Sequence, residues 1–484
     1  MELNRDMTLV EMRAQMASGT LSSQQIVRHY LQQIALFDKQ GPCINAIRAL
    51  NMNVLYEAEA SDRFERGGGV VGPLFGIPVL VKDNIDVAGM PTTAGSYALK
   101  DHYPVQDAPL VAALRRAGAL IMGKANMTEW ANFTTQGMPN GYSALGGQVL
   151  NPFGPKHLQP GGSSSGSGAA VAAGMAPVAI GTETSGSILS PAHNNGVYGL
   201  KPTLGLISRS GIIPIAASQD TAGPIGRSIT DIALMMDVLV GQDPADGATR
   251  GNAMPGAQNF LGRLNRDALH GTRIGIVRGP LERLDDRAKA VFDEALAELR
   301  SLGAILVEVE LPGMEASSDW RSKVLYYEFK PALNAYLRSV ASHLPVHNIE
   351  ELFIFNLQHR AEELRYGQTT IQAAMELSGS LTEAEYINDR IKDLRTSRDE
   401  GIDYGLQHYD VAALIFPGPS AAAIAAKAGY PSFNVPLGVV ENNQPMSMTW
   451  TSTAFQDALL LSFAYAHEQA FPRRLWPDLP LDAE

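Results

Sequence analysis

Short apolar, β-branched runs recur along this chain, separated by stretches of helical period, and that alternation limits the folds open to it. "IPVLVKDNIDV", beginning at Ile77, reads as a strand buried on both faces that runs into a turn at Asp83 and Asn84. "PLVAALRRAGALIMGKANMTEW" then reads as helix, glycine break at Gly118, strand and loop, and "AAVAAGMAPVAIGTETSG" repeats the order. Further units follow in "TRIGIVRG" and "DDRAKAVFDEALAELRSLGAILVEVEL". Alternating units of this kind predict an α/β fold, with a twisted, mostly parallel mixed sheet flanked by helices.

The period changes at both ends of that pattern. "SSQQIVRHYLQQIALFDKQG" predicts a helix capped by Ser22 or Ser23 and stopped near Gly41, within a helical N-terminal segment of about residues 1–65. A first core of this alternation covers about 70–240, and the alternation continues to Gly303. From Gly313 to His408 the text turns to charge, aromatics and helical periods, which predicts a helical insertion near 313–408. Strand character returns at "DVAALIFPG", and "DALLLSFAYAHEQAF" closes the chain as an amphipathic helix. With no low-complexity linker or internal repeat, the 484 residues are read as one large domain.

Composition excludes several classes of function. A formal net charge of -12 and no local cluster of Lys and Arg disfavour a nucleic-acid partner. The one cysteine, Cys43, cannot form an internal disulfide, no Cys/His spacing resembles a zinc site, and the thiol is read as a bystander. No run approaches the roughly 18 apolar residues of a membrane span, and the N-terminus lacks a signal-peptide core. The expectation is a soluble, cytoplasmic protein with no membrane partner.

Two serine–glycine runs carry the chemistry, "GGSSSGSGAA" from Gly161 and "GTETSGSILSPA" from Gly181. "GSSSG" matches a nucleophile-elbow pattern, but "NPFGPKHLQP" before it is not a strand and no histidine stands in a suggestive context. A phosphate loop would need a Walker ending or dinucleotide glycine spacing, and neither is present. A serine hydroxyl must hand its proton to a base, and without a histidine a buried lysine is the alternative. Lys82, at the end of the apolar run Ile77–Val81, is the candidate. These residues alone leave two readings, a buried base or a lysine that reaches solvent or pairs with Asp83 or Asp86.

Lys82 in "VKDN", "GGSSSGSG" and "GTETSGSILSPA", with Ser163 and Ser187 24 residues apart, together resemble the amidase signature family of serine hydrolases. "GPLFGIPVLVKDNIDVAGMPTTAGS", "RAGALIMGKANMTEWANF", "GVYGLKPTLGLISRSGIIPIAASQDTAGPIGRSITDIA" and "AGYPSFNVPLG" extend the likeness over nearly the whole chain. The resemblance implies an amidase with a Ser–Ser–Lys triad: Ser187 as nucleophile, Ser163 as relay after a cis Gly162–Ser163 bond, and Lys82 as base. It also implies an oxyanion hole from the backbone of Thr184, Ser185, Gly186 and Ser187, an acyl-enzyme, and no metal or cofactor. Ser164 and Ser165 are read as supporting hydrogen bonders, and the side chains of Ser167, Ser185 and Ser190 as serving packing or turn geometry. The partner implied is a small-molecule or peptidyl amide, in a monomer or a homodimer.

The chain departs from the family's commonest wording at Glu183, Ser185 and Leu189, where Asp, Gly and Arg are usual. The "ETxGSI" form resembles the branch of bacterial peptide amidases rather than the tRNA-dependent amidotransferase subunits. Near the C-terminus, "NQPMSMTWTS" carries Ser447 and Ser452 at usual glycines, and Trp450 is expected to reshape an acyl pocket, the alternative being that this strand merely packs differently. The loop "FTTQGMPNGYSALGG" from Phe133 and the insertion are its other expected walls. An anilide, carbamate or ester hydrolase, or a non-catalytic binding protein on the same fold, are the competing readings.

Overall fold

The apolar runs form the strands of one sheet in the computed structural model, which describes residues 3–251, 259–316 and 322–479. In chain order the strands are β1 Ile47–Leu50, β2 Pro78–Lys82, β3 Leu120–Ala125, the short hairpin β4 Tyr142–Ser143 and β5 Gly147–Gln148, β6 Val178–Glu183, β7 Tyr198–Lys201, β8 Thr221–Gly226, β9 Arg273–Val277, β10 Ile305–Val309, β11 Ala413–Pro417, β12 Ser432–Val439 and β13 Pro445–Thr451. All but the hairpin join an 11-stranded sheet ordered β1-β3-β2-β6-β8-β7-β12-β13-β11-β9-β10. Every residue of β2, β3, β6 and β8 is buried, as the unbroken apolar wording requires of strands covered on both faces.

The sheet is mixed, and less parallel than the sequence predicts. Parallel pairing occupies β3-β2-β6 and β11-β9-β10, four of the ten neighbouring pairs, and the other six are antiparallel. The reason lies in the connections. β12 and β13 are joined by the short turn Glu441–Asn443, which can only link antiparallel neighbours. The loop from Pro202 to Asp220 lets β8 insert between β6 and β7. The N-terminal segment, expected as helical, also holds β1, which pairs antiparallel with β3 at the sheet edge. Around it the helices Leu9–Ala17 and Ser23–Phe37 carry capping boxes from Thr8/Glu11 and Ser22/Gln25.

The described residues from Gly313 to His408 contain helices and no strand, among them Val324–Leu337, Ile349–Gln358, Thr369–Met375 and Ala384–Leu394. These helices build a second core in which Phe329, Leu333, Ile349 and Ile371 pack on Trp130, Phe133, Ile213 and Ile215. The insertion therefore lies over the loops that follow β2, β3 and β7. Among the described residues no helix is long and apolar enough to cross a membrane.

Candidate active site

β2 runs parallel to β6, with Leu80 opposite Ala179 and Val81 opposite Ile180, so the two strands end side by side. Lys82 is the last residue of β2 and is wholly buried. Its Nζ lies 2.8 Å from Ser163 Oγ, 2.8 Å from Thr182 Oγ1 and 3.3 Å from Thr182 O. Among the described residues it forms no ion pair. Asp83 faces Lys124 at 3.7 Å, and Asp86 accepts the Tyr336 hydroxyl at 2.7 Å, which removes the reading in which either aspartate neutralises Lys82. Burial lowers Lys82 from its ordinary 10.5 to about 7, against the opposing pull of the Glu183 and Asp220 carboxylates. In the neutral amine the two N–H groups suit Thr182 O and Oγ1, leaving the lone pair for the Ser163 hydroxyl.

Ser163 follows a cis peptide bond from Gly162 and stands just before the helix Ser165–Ala172. The neighbouring serines brace it. Ser164 Oγ exchanges two 3.1 Å hydrogen bonds with the backbone of Thr182, Ser165 Oγ donates to Gly161 O at 2.6 Å, and Ser167 Oγ donates to Ile180 O at 3.1 Å. The second serine–glycine run lies against the first: Ser164 N donates to Ser187 O at 3.2 Å. Gly161 permits this approach, since a Cβ there would sit 2.7 Å from the backbone of Ser190 and Pro191.

The turn from Thr184 to Ser187 is held from three sides. Gly186 supplies a φ of 87°. Glu183 Oε2 accepts the N–H groups of Ile188 at 2.6 Å and Leu189 at 2.9 Å, so the longer acid at this position closes the turn. Thr184 Oγ1 donates to Asp220 Oδ1 at 2.5 Å, and Gln219 Nε2 donates to Thr184 O at 3.0 Å. Among the described residues no hydrogen bond engages the N–H groups of Ser185, Gly186 or Ser187. These donors are left open at the turn. A small cleft beside the turn is lined by Asn84, Ala131, Thr182, Thr184, Ile213 and Asp220, among others.

The structure thus gathers Lys82, Ser163, Thr184, Ser185, Gly186 and Ser187 at one end of the sheet. Sequence reasoning passed over Thr182, Gln219 and Asp220. Thr182 is a neighbour of Lys82 only through the β2–β6 register, and Gln219 and Asp220, within "IAASQDTAGP", belong to the family likeness without an assigned role. Trp450 is a correction. It is wholly buried with its ring 6.1 Å from Phe463 and belongs to the main core, so it does not line the cleft. The nearby departures are structural too: Ser447 Oγ donates to Asn434 Oδ1 and meets His193 Nδ1, each at 2.7 Å, and Ser452 Oγ donates to Ala412 O at 3.0 Å. His193 is no rival base, because burial lowers it to about 4 and its Nδ1 is engaged by Ser447. Phe133 packs on Phe329 and Tyr326 of the insertion at ring distances of 4.7 and 5.3 Å. Cys43 is an exposed free thiol.

The family model described as Amidase matches residues 25–461. The chain belongs to the amidase family. The fold of this amidase superposes on native peptide amidase from Stenotrophomonas maltophilia with a TM-score of 0.92 and 41% identity, covering 98% of each chain. An amidase family protein from Bacillus anthracis matches with a TM-score of 0.90 and 36% identity over 98% of this chain and 92% of the other. A protein of Arabidopsis thaliana designated a probable amidase is 34% identical over 96% of this chain and 90% of its own length.

Proposed function

We propose that this amidase hydrolyses a carboxamide, a small primary amide or the C-terminal amide of a peptide, to carboxylate and ammonia through Ser187, Ser163 and Lys82. The observation that carries the reading is the buried Lys82 amine 2.8 Å from Ser163 Oγ, on a loop bonded to that of Ser187. The likeness to the peptide amidase of Stenotrophomonas maltophilia supports the peptidyl substrate.

In the proposed cycle Ser187 Oγ attacks the amide carbon while its proton passes to Ser163 and the Ser163 proton passes to neutral Lys82. The carbonyl oxygen becomes an anion against the open N–H groups of the Thr184–Ser187 turn, where each donor is worth roughly 2.7–4 kcal/mol. The C–N bond then breaks, the leaving nitrogen takes a proton from Ser163, and Ser163 recovers one from Lys82. Ser187 is left as an ester, which water cleaves by the same relay in reverse. The partner is the amide substrate itself, and no step calls for a metal or cofactor.

The test is ammonia release from aliphatic, aromatic and peptidyl primary amides, with wild type and Ser187→Ala side by side. Release that is fastest for peptidyl amides and lost in the variant is expected. No ammonia from any amide, or an active Ser187→Ala, would overturn the proposal, and in the first case anilides, carbamates and esters are the substrates to assay next.

A further inference from the structure

Asp220 lies in "IAASQDTAGP", to which the sequence assigns no catalytic role, yet two parts of the site meet at its carboxylate. It precedes β8 in the loop from Pro202. Its Oδ1 accepts the Thr184 hydroxyl at 2.5 Å, while Oδ2 accepts the N–H groups of Ile215 and Ala216 at 2.8 Å each. The residue before it, Gln219, holds the Thr184 carbonyl at 3.0 Å. The first residue of the oxyanion turn is therefore gripped at side chain and backbone by two consecutive residues of another loop. A hydroxyl donating to a carboxylate at this distance makes a charge-assisted bond, about twice as strong as a neutral one.

Asp220 also lines the same cleft as Thr182, whose hydroxyl lies 2.8 Å from Lys82 Nζ, so its charge stands near the base. Asp220 and Glu183 are the two carboxylates whose fields favour the ammonium form of Lys82 against burial. Burial raises Asp220 to about 6, so the carboxylate is ionised at and above neutral pH. Arg209, the cation facing this loop, opposes that rise, and it binds Asp246 at 2.6 Å and donates to Ala217 O. Glu328, on the insertion, accepts Ser218 N at 2.8 Å and the Tyr386 hydroxyl at 3.0 Å.

We propose that Asp220 is a positioning residue that sets the oxyanion turn through Thr184 and tunes Lys82 through its charge. The inference rests on the Ser–Ser–Lys reading above. It assigns Asp220 two separable effects, one carried by a hydrogen bond and one by a charge.

Thr184→Val, Thr184→Ser and Asp220→Asn separate them, with kcat, KM and the pH profile of kcat/KM measured on a peptidyl amide. Thr184→Val removes the bond and keeps the charge, so kcat falls about tenfold or more with KM little changed and the acid limb unmoved. Thr184→Ser restores the hydroxyl and kcat. Asp220→Asn lowers kcat and also moves the acid limb to lower pH, because the neutral amine has lost a carboxylate that favoured its protonation. Wild-type kcat in Thr184→Val overturns the turn-setting role, and an unmoved limb in Asp220→Asn overturns the tuning role. Lys82→Met keeps the two proposals distinct. If it stays active, the triad fails and the tuning role with it, while the Thr184 pair still decides the turn. If it is inactive and the Thr184 and Asp220 variants behave as wild type, only the Asp220 proposal falls.

Discussion

Replacing Lys82 by Met should abolish activity and stabilise the fold. The side chain is wholly buried, and its fall from 10.5 to about 7 is the net cost of holding the ammonium there, desolvation less the pull of Glu183 and Asp220. At 1.36 kcal/mol per unit that cost is about 5 kcal/mol. Methionine has a similar length and no charge to desolvate. Its partners are mostly kept satisfied, since Thr182 Oγ1 retains Asn84 Nδ2 at 3.0 Å and Thr182 O retains Ser164 Oγ at 3.1 Å. Only the Ser163 hydroxyl is orphaned, at a cost of about 1–3 kcal/mol, which leaves a net gain of about 2–4 kcal/mol near neutral pH. An unfolding entropy of about 2.1 cal/mol/K per residue converts that into a Tm rise of roughly 2–4 °C for a chain of this length.

The sign with pH follows from proton counting. Between about 7 and 10.5 the unfolded chain holds a proton on Lys82 that the folded chain does not, so wild-type stability rises with pH across that window. The advantage of Met is therefore full below about 7 and gone by 10.5. Thermal melts of both proteins at a series of pH values from neutral to alkaline provide the assay. A Met variant that melts below wild type at neutral pH, or whose advantage does not shrink as pH rises, would refute the reasoning.

Three further outcomes follow from the same geometry. Wild-type kcat/KM should fall about tenfold per pH unit below about 7, because the base works only as the neutral amine; a flat profile into acid contradicts a lysine base. Glu183→Ala removes the acceptor of two backbone bonds at 2.6 and 2.9 Å, each worth about 1.5–3 kcal/mol, so kcat should drop about a hundredfold or more, checked by steady-state kinetics on folded variant. Trp450→Phe should leave the ranking of acyl chains unchanged across a substrate panel, because the indole packs on Phe463 and its Nε1 has no hydrogen-bond partner among the described residues.

What the sequence disclosed, and what it hid, follows from how far each signal reaches along the chain. Lys82 is legible because five apolar residues precede it, and a strand that buried carries its last side chain inward. Ser163 and Ser187 are legible from local wording and spacing. Thr182 and Asp220 are not, because their roles come from strand register and from a loop that folds back. The antiparallel centre of the sheet escaped for the same reason: buried strands of either direction share one apolar text. Trp450 misled because every residue of β13 is buried, so alternation does not say which face a side chain takes.

The central claim is that Ser187 is the nucleophile of a lysine-driven relay, and covalent trapping tests it most directly. Wild type, Ser163→Ala and Ser187→Ala are exposed to a fluorophosphonate, and intact mass with peptide mapping locates the adduct. One adduct on Ser187 in wild type, slowed in Ser163→Ala and absent in Ser187→Ala, is the predicted result. An adduct on another residue, or an enzyme that releases ammonia while Ser187 stays unlabelled, would contradict the account.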